Sequence, residues 1–251
     1  FGTDTFNLGD IAVTEPLLSS LTEYTAVPWK HYQLAHSAEG MERSQIPFSI
    51  QEFGVNNGDP VSFLRVYEAL DQITGNSLNS KTWEQEIPGF AAIDFNDDYK
   101  PGFFYDDDFQ IGKLEIKAYL ELDDEQPGMN DTVIRLETYA DHYAYDDGTA
   151  EATIGISGEF QDLSKLALRF RAFTHTPDML QGVLIYFAPP VDSNDLDVTY
   201  RIEIRKNDGA KPGNEVLYVS DDLTPDYSKG LNQFQRIDID PPVPVKDTFF
   251  V

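Results

Sequence analysis

Cysteine does not occur among the 251 residues of this chain, which excludes three kinds of chemistry. Without thiols there is no disulfide framework, no thiolate metal ligand and no cysteine nucleophile. Long apolar runs are also lacking: none approaches the roughly 20 residues of a transmembrane helix, so membrane insertion is not expected. No signal peptide is recognisable, and the chain begins at Phe1 and ends at Val251 inside a predicted strand. Both ends predict a piece of a longer, processed polypeptide.

Basic residues are scarce relative to acidic ones. The chain has 18 Lys and Arg against 44 Asp and Glu, which gives a formal net charge of −26. Residues 1–141 hold 26 of the acidic and 8 of the basic residues, so the first half carries most of this charge. A field of this sign repels phosphate backbones and anionic lipids, so we expect neither nucleic-acid nor membrane-surface partners. The same charge favours solubility and suits divalent cations.

Recognisable catalytic motifs are lacking as well. The sequence contains no Gly-x-Ser-x-Gly, no His-Glu-x-x-His and no P-loop. Its four histidines are His31, His36, His142 and His175, and their spacing does not match a metal site. Carboxylate pairs of the kind used in glycoside hydrolysis arise by chance in so acidic a chain. The sequence therefore predicts a chain that is not an enzyme, with structural calcium as the one candidate ligand in place of a cofactor.

What the chain has in quantity is apolar and aromatic side chains in short alternating runs. Hydrophobic residues make up 41% of it, with 17 Phe and 13 Tyr, which is enough to fill large cores. The clearest alternation places Leu114, Ile116, Ala118, Leu120 and Leu122 on one face of a strand. A polar turn and a second run, Thr132–Tyr139, follow it. This pattern predicts a β-hairpin.

A second hairpin is predicted around Asn57-Gly58, a strong turn dipeptide. It would join a strand over Ile46–Phe53 to a strand over Val61–Leu70, with a short helix over Arg65–Gln72 as the alternative for the latter. Residues 7–139 contain six or seven such strands and no convincing long helix. The sequence thus predicts an immunoglobulin-like β-sandwich with acidic loops as the first domain, residues 1–139.

The second half shows a more regular succession of short strands. The clearest predicted strands are Lys165–Phe173, Met179–Ala188, Val198–Arg205, Glu215–Val219, Asn232–Ile239 and Thr248–Val251. About eight strands at this spacing predict a jelly-roll-like β-sandwich over residues 140–251, truncated at its C-terminal end. The predicted fold class of the whole chain is therefore all-β, with two β-sandwich domains that meet near residue 140.

The stretch Tyr143–Glu151, with the sequence Tyr-Ala-Tyr-Asp-Asp-Gly-Thr-Ala-Glu, opens this second half. Asp147-Gly148 predicts a turn, because Gly adopts positive φ at little cost and Asp tolerates it. Together with Leu168-Arg169-Phe170 and the runs Gln181–Phe187 and Lys211–Tyr218, the stretch resembles a module of bacterial surface proteins. These are the large secreted proteins of the Bacteroidetes that the type IX secretion system exports.

That resemblance implies secretion and an extracellular location at the bacterial cell surface or outer membrane. It implies no enzymatic activity and supplies no catalytic residues. The first half is similar in outline to the sandwich that often precedes this module, through Tyr24–Pro28, Phe53–Gly58 and Asn130-Asp131-Thr132. We therefore expect a non-catalytic structural, adhesive or partner-binding segment. Its expected partners are other domains of the same polypeptide or neighbouring surface proteins.

Acidic loops are the candidate metal sites, because carboxylate and amide oxygens are the ligands that Ca²⁺ prefers. The predicted calcium ligands of the first domain are Asp94, Asn96, Asp97, Asp98, Asp106, Asp107 and Asp108. An EF-hand is excluded, since Tyr99 stands where that loop needs Gly and Tyr105 where it needs Glu. The alternative, which the sequence favours, is a solvated loop with local Asx turns.

A second acidic group consists of Asp146, Asp147 and Glu151, and it has two interpretations. Its oxygens could bind calcium or a partner. Alternatively, Asp147 and Thr149 bond to backbone N–H groups of the turn, while Glu151 pairs with an arginine of the neighbouring strand. The sequence favours this structural interpretation.

Exposed aromatic rings would indicate sugar binding, because sugar faces stack on them. The candidates are Trp29, Tyr32, Trp83, Phe103, Phe104 and Tyr105. Rings of this size more often fill cores and contacts between domains. A carbohydrate-binding accessory region of a secreted multidomain enzyme, with a glycan as partner, is therefore the alternative function.

Overall fold

The computed structural model describes residues 11–14, 18–53, 60–95, 111–122, 131–149, 154, 164–189, 198–228 and 230–251. In these ranges the fold is all-β, as the alternating pattern predicted, apart from a 3₁₀ turn and one short helix. The chain divides into two compact units, a first unit Phe1–Asp147 and a second unit Gly148–Val251. No helix among the described residues is long and apolar enough to cross a membrane.

Eight strands of the first unit form two sheets. They are β1 Ile11–Val13, β2 Ala26–Pro28, β3 Phe48–Glu52, β4 Val61–Asp71, β5 Ser77–Ile87, β6 Ala92–Phe95, β7 Gly112–Glu121 and β8 Thr132–Ala140. The larger sheet has the order β2-β8-β7-β4-β5, and the smaller has the order β1-β3-β6. Every pairing is antiparallel except that of β2 with β8.

Strand β7 confirms the clearest alternation in the sequence. Leu114, Ile116, Ala118 and Leu120 are all buried on one face. β7 and β8 pair antiparallel, with Gly112 opposite Tyr139 and Tyr119 opposite Thr132, so the predicted hairpin is also confirmed. The alternation fixes the register because a slip by one residue would turn these apolar side chains to the solvent.

The hairpin predicted around Asn57-Gly58 is wrong. The turn itself lies outside the described residues, but the strands on either side belong to different sheets. β3 pairs with β1 and β6, whereas β4 pairs with β5 and β7. The turn dipeptide reports only local chain reversal. Which strands then pair depends on burial across the whole unit, and β3 buries four of its five residues.

The hairpin that the sequence did not reveal is β4–β5. β5 alternates poorly, because most of its residues are exposed and polar. Its turn is set by Asp71, whose carboxylate accepts hydrogen bonds from the Ile73 N–H at 2.9 Å and from the Thr74 hydroxyl at 2.6 Å. Gly75 then adopts φ +74°, a conformation that glycine reaches without strain. β4 itself is a strand throughout, so the helix considered for Arg65–Gln72 is wrong.

A fully buried arginine lies in the core between the two sheets of the first unit. Arg65 is 0% exposed, on the same face of β4 as Phe63 and Tyr67. Its guanidinium carbon lies 4.0 Å from the ring centre of Phe95 and 4.3 Å from that of Trp83. Cation–π attraction in a desolvated site compensates part of the free energy that burial of the charge requires.

Residues 21–43 connect β1 to β3 around the only described helical segment. A 3₁₀ turn covers Trp29–His31 and an α-helix, α1, covers Tyr32–Ser37. The backbone is therefore helical from Trp29 to Ser37. Trp29 stacks on Tyr32 with ring centres 5.6 Å apart. A helix this short has too few backbone hydrogen bonds to be stable by itself, and this aromatic packing stabilises it.

The second unit contains six described strands. They are β9 Arg169–Ala172, β10 Asp178–Ile185, β11 Glu203–Asp208, β12 Lys211–Val219, β13 Gln235–Val245 and β14 Asp247–Phe250. One sheet has the order β12-β11-β14-β9, and β10 pairs with β13 in another. β11 and β12 are joined by a two-residue turn in which Gly209 and Ala210 both adopt positive φ, as a hairpin of type I′ requires.

The core of the second unit forms between these sheets from alternating residues. Its buried members are Ala172, Ile202, Ile204, Ile237, Ile239, Val243, Val245 and Phe249. β10 corresponds to the predicted strand Met179–Ala188. Among the described residues it pairs only with β13, and its Met179 and Leu184 side chains are exposed. β13 continues past the predicted end at Ile239 through three prolines, and its pairing with β10 is interrupted between Asp238 and Val243, where Pro241 and Pro242 lie.

Candidate functional site

The acidic residues predicted to bind calcium fall into two groups. Asp94 is exposed on β6, opposite Ser49 of β3. Six others of the first domain, and Glu151 as well, lie outside the described residues: Asn96, Asp97, Asp98, Asp106, Asp107 and Asp108. The calcium site at Asp94–Asp108 therefore stays a prediction. Among the described residues, no three His, Asp or Glu side chains lie together as a metal site would require.

Asp146 and Asp147 lie in the first unit, where they bond to other strands of that unit. The Asp147 carboxylate accepts a hydrogen bond from the Arg135 guanidinium of β8 at 2.9 Å, with both side chains largely covered. The Asp146 carbonyl accepts a hydrogen bond from the Thr25 hydroxyl. Gly148 follows with φ +90°, which confirms the predicted turn. These contacts favour the structural interpretation, with Arg135 as a partner that the sequence did not indicate.

The stretch Tyr143–Asp147 packs against other residues of the first unit and is called the clasp below. The rings of Tyr143 and Tyr145 lie 5.0 and 4.9 Å from the ring of Tyr24, which is buried. Ala144 exchanges backbone hydrogen bonds with Ala26 at 3.1 and 3.4 Å. The sequence placed the domain boundary after residue 139, whereas the compact units divide between Asp147 and Gly148. These aromatic and backbone contacts are the reason that residues 140–147 belong with the first unit.

Replacement of Arg135 by methionine tests the clasp. We expect the free energy of unfolding of the first unit to fall by about 1 kcal/mol, the upper range for a partly exposed ion pair. The loss should shrink in about 1 M salt, because salt screens the pair. Urea unfolding followed by tryptophan fluorescence measures it, since both tryptophans lie in the first unit. An equal loss in Asp147→Asn, and no further loss in the double variant, would identify Asp147 as the partner.

A buried polar network lies behind the clasp. Glu137 of β8 is 1% exposed, and its carboxylate accepts hydrogen bonds from the Ser20 N–H, the Ser20 hydroxyl at 2.5 Å and the Tyr139 hydroxyl at 2.6 Å. His36 Nε2 lies 3.3 Å from the Tyr139 oxygen. On the other side, His31 Nδ1 lies 2.6 Å from the Tyr143 oxygen. The network ties the segment before β2 and helix α1 to β8.

Burial dominates the electrostatics of this network. Desolvation raises the pKa of Glu137, and the hydrogen bonds from Ser20 and Tyr139 offset only part of that rise. Burial, reinforced by the nearby Glu137 carboxylate, raises the pKa of the Tyr139 phenol well above its ordinary value. Burial also lowers the pKa of His36, which favours its neutral form. Protonation of Glu137 would therefore relieve an unfavourable buried charge.

A serine hydroxyl bonded to a carboxylate is an arrangement that can activate a nucleophile. Here it is closed to substrates, because Ser20 is 2% exposed and Glu137 is as deeply buried. The hydroxyl donates to the carboxylate and its own backbone N–H bonds to the same group. Such a site holds two chain segments together and offers no reacting atom to solvent. Sequence reasoning missed it because Ser20 and Glu137 lie 117 residues apart.

The described aromatic residues considered for sugar binding are engaged in packing. Tyr32 is buried, with its ring 4.9 Å from that of Tyr139, and Trp29 stacks on it. Trp83 lies between Arg65 and Lys81, whose ammonium nitrogen is 4.5 Å from the ring centre. The candidates Phe103, Phe104 and Tyr105 lie outside the described residues.

Two phenylalanines that the sequence did not single out are instead exposed at one end of the three-stranded sheet. Phe53, directly after β3, is 51% exposed, and Phe90, in the turn before β6, is 66% exposed. The Phe90 N–H donates to the carboxylate of Glu52, which is fully buried. The signal available in the sequence was only the Pro88-Gly89 pair, which marks a turn but not which side chain it presents.

Comparison with known proteins gave no match: neither a scan of protein-family models nor a search of curated proteins found one for this chain.

Proposed function

We propose that this chain is a non-catalytic structural, adhesive or partner-binding segment of a large secreted bacterial cell-surface protein. The resemblance of Tyr143–Glu151 and the strands after it to the type IX secretion module supports the extracellular, cell-surface location. In this proposal the first unit is immunoglobulin-like and the second is jelly-roll-like. The all-β fold with two compact units is consistent with both assignments.

The observation that supports the non-catalytic role most directly is the burial of the Ser20–Glu137 pair. In this pair a serine hydroxyl bonds to a carboxylate, as in an activated nucleophile, and its buried position leaves it a structural role. Partner binding is supported by the large apolar side chains exposed in both units, such as Phe90, Leu168 and Leu184.

Binding and turnover assays on the full chain test this function. We expect fluorescently labelled chain to bind intact Bacteroidetes cells saturably and to be displaced by unlabelled chain. We expect no hydrolysis of ester, peptide or glycoside substrates above buffer. Hydrolysis that disappears in Ser20→Ala, with the fold retained by circular dichroism, would replace the proposal with an enzymatic function. If the amount of bound chain rises linearly with its concentration and unlabelled chain does not displace it, the adhesive role is contradicted.

A further inference from the structure

The turn between β5 and β6 holds a phenylalanine in a backbone conformation that phenylalanine rarely adopts. Phe90 has φ +60°, and the N–H of Ala91 donates to the Pro88 carbonyl at 3.1 Å across the turn. Positive φ at the third position of such a turn is the place of glycine or asparagine. In this chain Gly89 stands one position earlier. A bulky side chain in this region is strained unless its surroundings hold it there.

A buried carboxylate holds the strained turn in place. Glu52 is 0% exposed, and its side chain accepts the hydrogen bond of the Phe90 N–H. The Glu52 N–H in turn donates to the Ala91 carbonyl at 3.0 Å. The Phe90 ring gains little burial from this arrangement, since 66% of the residue is exposed. Burial of this ring therefore does not compensate the free energy of the backbone strain.

Phe53 lies at the same end of the three-stranded sheet as Phe90. The register of β3 and β6 ends with Gln51 opposite Ala92, and Phe53 and Phe90 both lie just beyond this end of the paired strands. Phe53 is also half exposed. Two phenyl groups therefore stand at the same end of the sheet. Exposed aromatic residues held by a rigid scaffold are the residues that most often anchor protein contacts.

The stretch of chain around Phe90 is acidic. Residues 82–95 contain Glu84, Glu86 and Asp94, all exposed, and no lysine or arginine. The first unit as a whole has 28 acidic and 8 basic residues, a net charge of −20. A field of this sign attracts a basic partner and disfavours an acidic one.

We propose that Phe53 and Phe90 form a docking point for a basic, apolar peptide segment of a partner protein. Apolar side chains of the partner pack on the two rings, and its arginines or lysines are attracted by the net negative charge of the first unit. Arginine also gains from contact with a phenyl face. The proposal names the partner chemistry and the site for the partner-binding role proposed above, and it rests on that role.

Selection from a display library of random 12-residue peptides on the immobilised full chain tests it. We expect enriched peptides to combine Arg or Lys with Leu, Met or aromatic residues. Their affinity should fall about tenfold or more in Phe90→Gly and in Phe53→Ala, the loss typical of an interface anchor. It should also weaken as salt rises from about 50 to 300 mM, because salt screens the attraction. Ile134→Ala, which truncates an equally exposed side chain on β8, should bind as the unaltered chain does.

The same variants separate docking from folding. Phe90→Gly should unfold at the same or a higher urea concentration than the unaltered chain, because glycine relieves the strain. A lower midpoint would show that the ring is kept for stability and would overturn the proposal. So would enriched peptides without basic residues, no enrichment at all, or salt-independent binding of neutral polysaccharides that Phe90→Gly abolishes. If labelled chain still binds cells saturably in both phenylalanine variants, the proposed function stands and this docking point does not.

Discussion

Replacement of Glu137 by alanine is expected to lower the free energy of unfolding of the first unit by about 3 kcal/mol at pH 5. The substitution removes the acceptor of the Ser20 N–H, of the Ser20 hydroxyl and of the Tyr139 hydroxyl, and it leaves a small cavity. The two hydroxyls can rotate toward other acceptors. The buried backbone N–H cannot, and an unsatisfied buried donor costs about 1–3 kcal/mol by itself.

Glu137→Gln isolates the effect of charge. Glutamine keeps an acceptor for the Ser20 N–H and never ionises. The folded-state pKa of Glu137 lies above the unfolded value of 4.5, so its contribution to stability is complete below pH 4.5 and is lost as pH rises through the folded-state value. Relative to the unaltered chain, Glu137→Gln should therefore be close to neutral at low pH and should gain stability as pH rises.

A pH series compares the free energies of unfolding of the unaltered chain, of Glu137→Ala and of Glu137→Gln. Urea unfolding between pH 5 and 8, followed by tryptophan fluorescence, reports on the first unit alone because Trp29 and Trp83 both lie there. The alanine and glutamine variants should change with pH in parallel relative to the unaltered chain. The constant gap between them is the hydrogen-bond and cavity contribution. Glu121→Gln, an exposed carboxylate on β7, provides the background. A glutamine variant that loses stability as pH rises would contradict the assignment.

Arg65→Ala is expected to produce a loss of similar size, on the order of 3 kcal/mol. Arg65 is fully buried, with its guanidinium against the rings of Phe95 and Trp83. Removal leaves a cavity between the two sheets of the first unit and eliminates cation–π contacts worth about 2 kcal/mol in a desolvated site. Arg65→Met keeps most of the volume and removes the charge. Its free energy of unfolding should lie between those of the unaltered chain and of Arg65→Ala.

Lys81 supplies the matched control for Arg65. It contacts the same Trp83 ring at 4.5 Å, but it is exposed on β5. Lys81→Ala should therefore change the free energy of unfolding by only about 0.5–1 kcal/mol. The same fluorescence-detected urea titration serves both variants, with circular dichroism as a second probe because Trp83 itself is a neighbour. Equal effects of Arg65→Ala and Lys81→Ala would show that burial of the guanidinium contributes nothing.

The predictions that held were those that local pattern determines. Leu114, Ile116, Ala118 and Leu120 could be assigned to one buried face because a strand turns alternate side chains to opposite sides. The turns at Asp147-Gly148 and at Gly209 were predictable for an equally local reason, since positive φ selects glycine. The all-β class follows from many such runs without long helical periodicity.

The predictions that failed required knowledge of distant partners. β3 and β4 have the alternation of a hairpin and a strong turn dipeptide between them, yet they pair in different sheets. β5 escaped notice because this edge strand has few apolar residues, and only Trp83 and Ile87 mark its inner face at its C-terminal end. The structural interpretation of Asp147 paired its side chain with the backbone of its own turn, whereas the carboxylate contacts Arg135, twelve residues away on β8.

The sequence by itself determined the local structure and the composition of the chain. It specified short strands, glycine turns and a cysteine-free, strongly acidic composition. Only the tertiary structure decided that Tyr143–Asp147 closes the first unit, that Ser20 and Glu137 meet in its interior, and that Phe90 stands strained and exposed. The physical reason is that alternation and turn propensity act over a few residues. Burial, desolvation and strain depend on groups that only folding brings together.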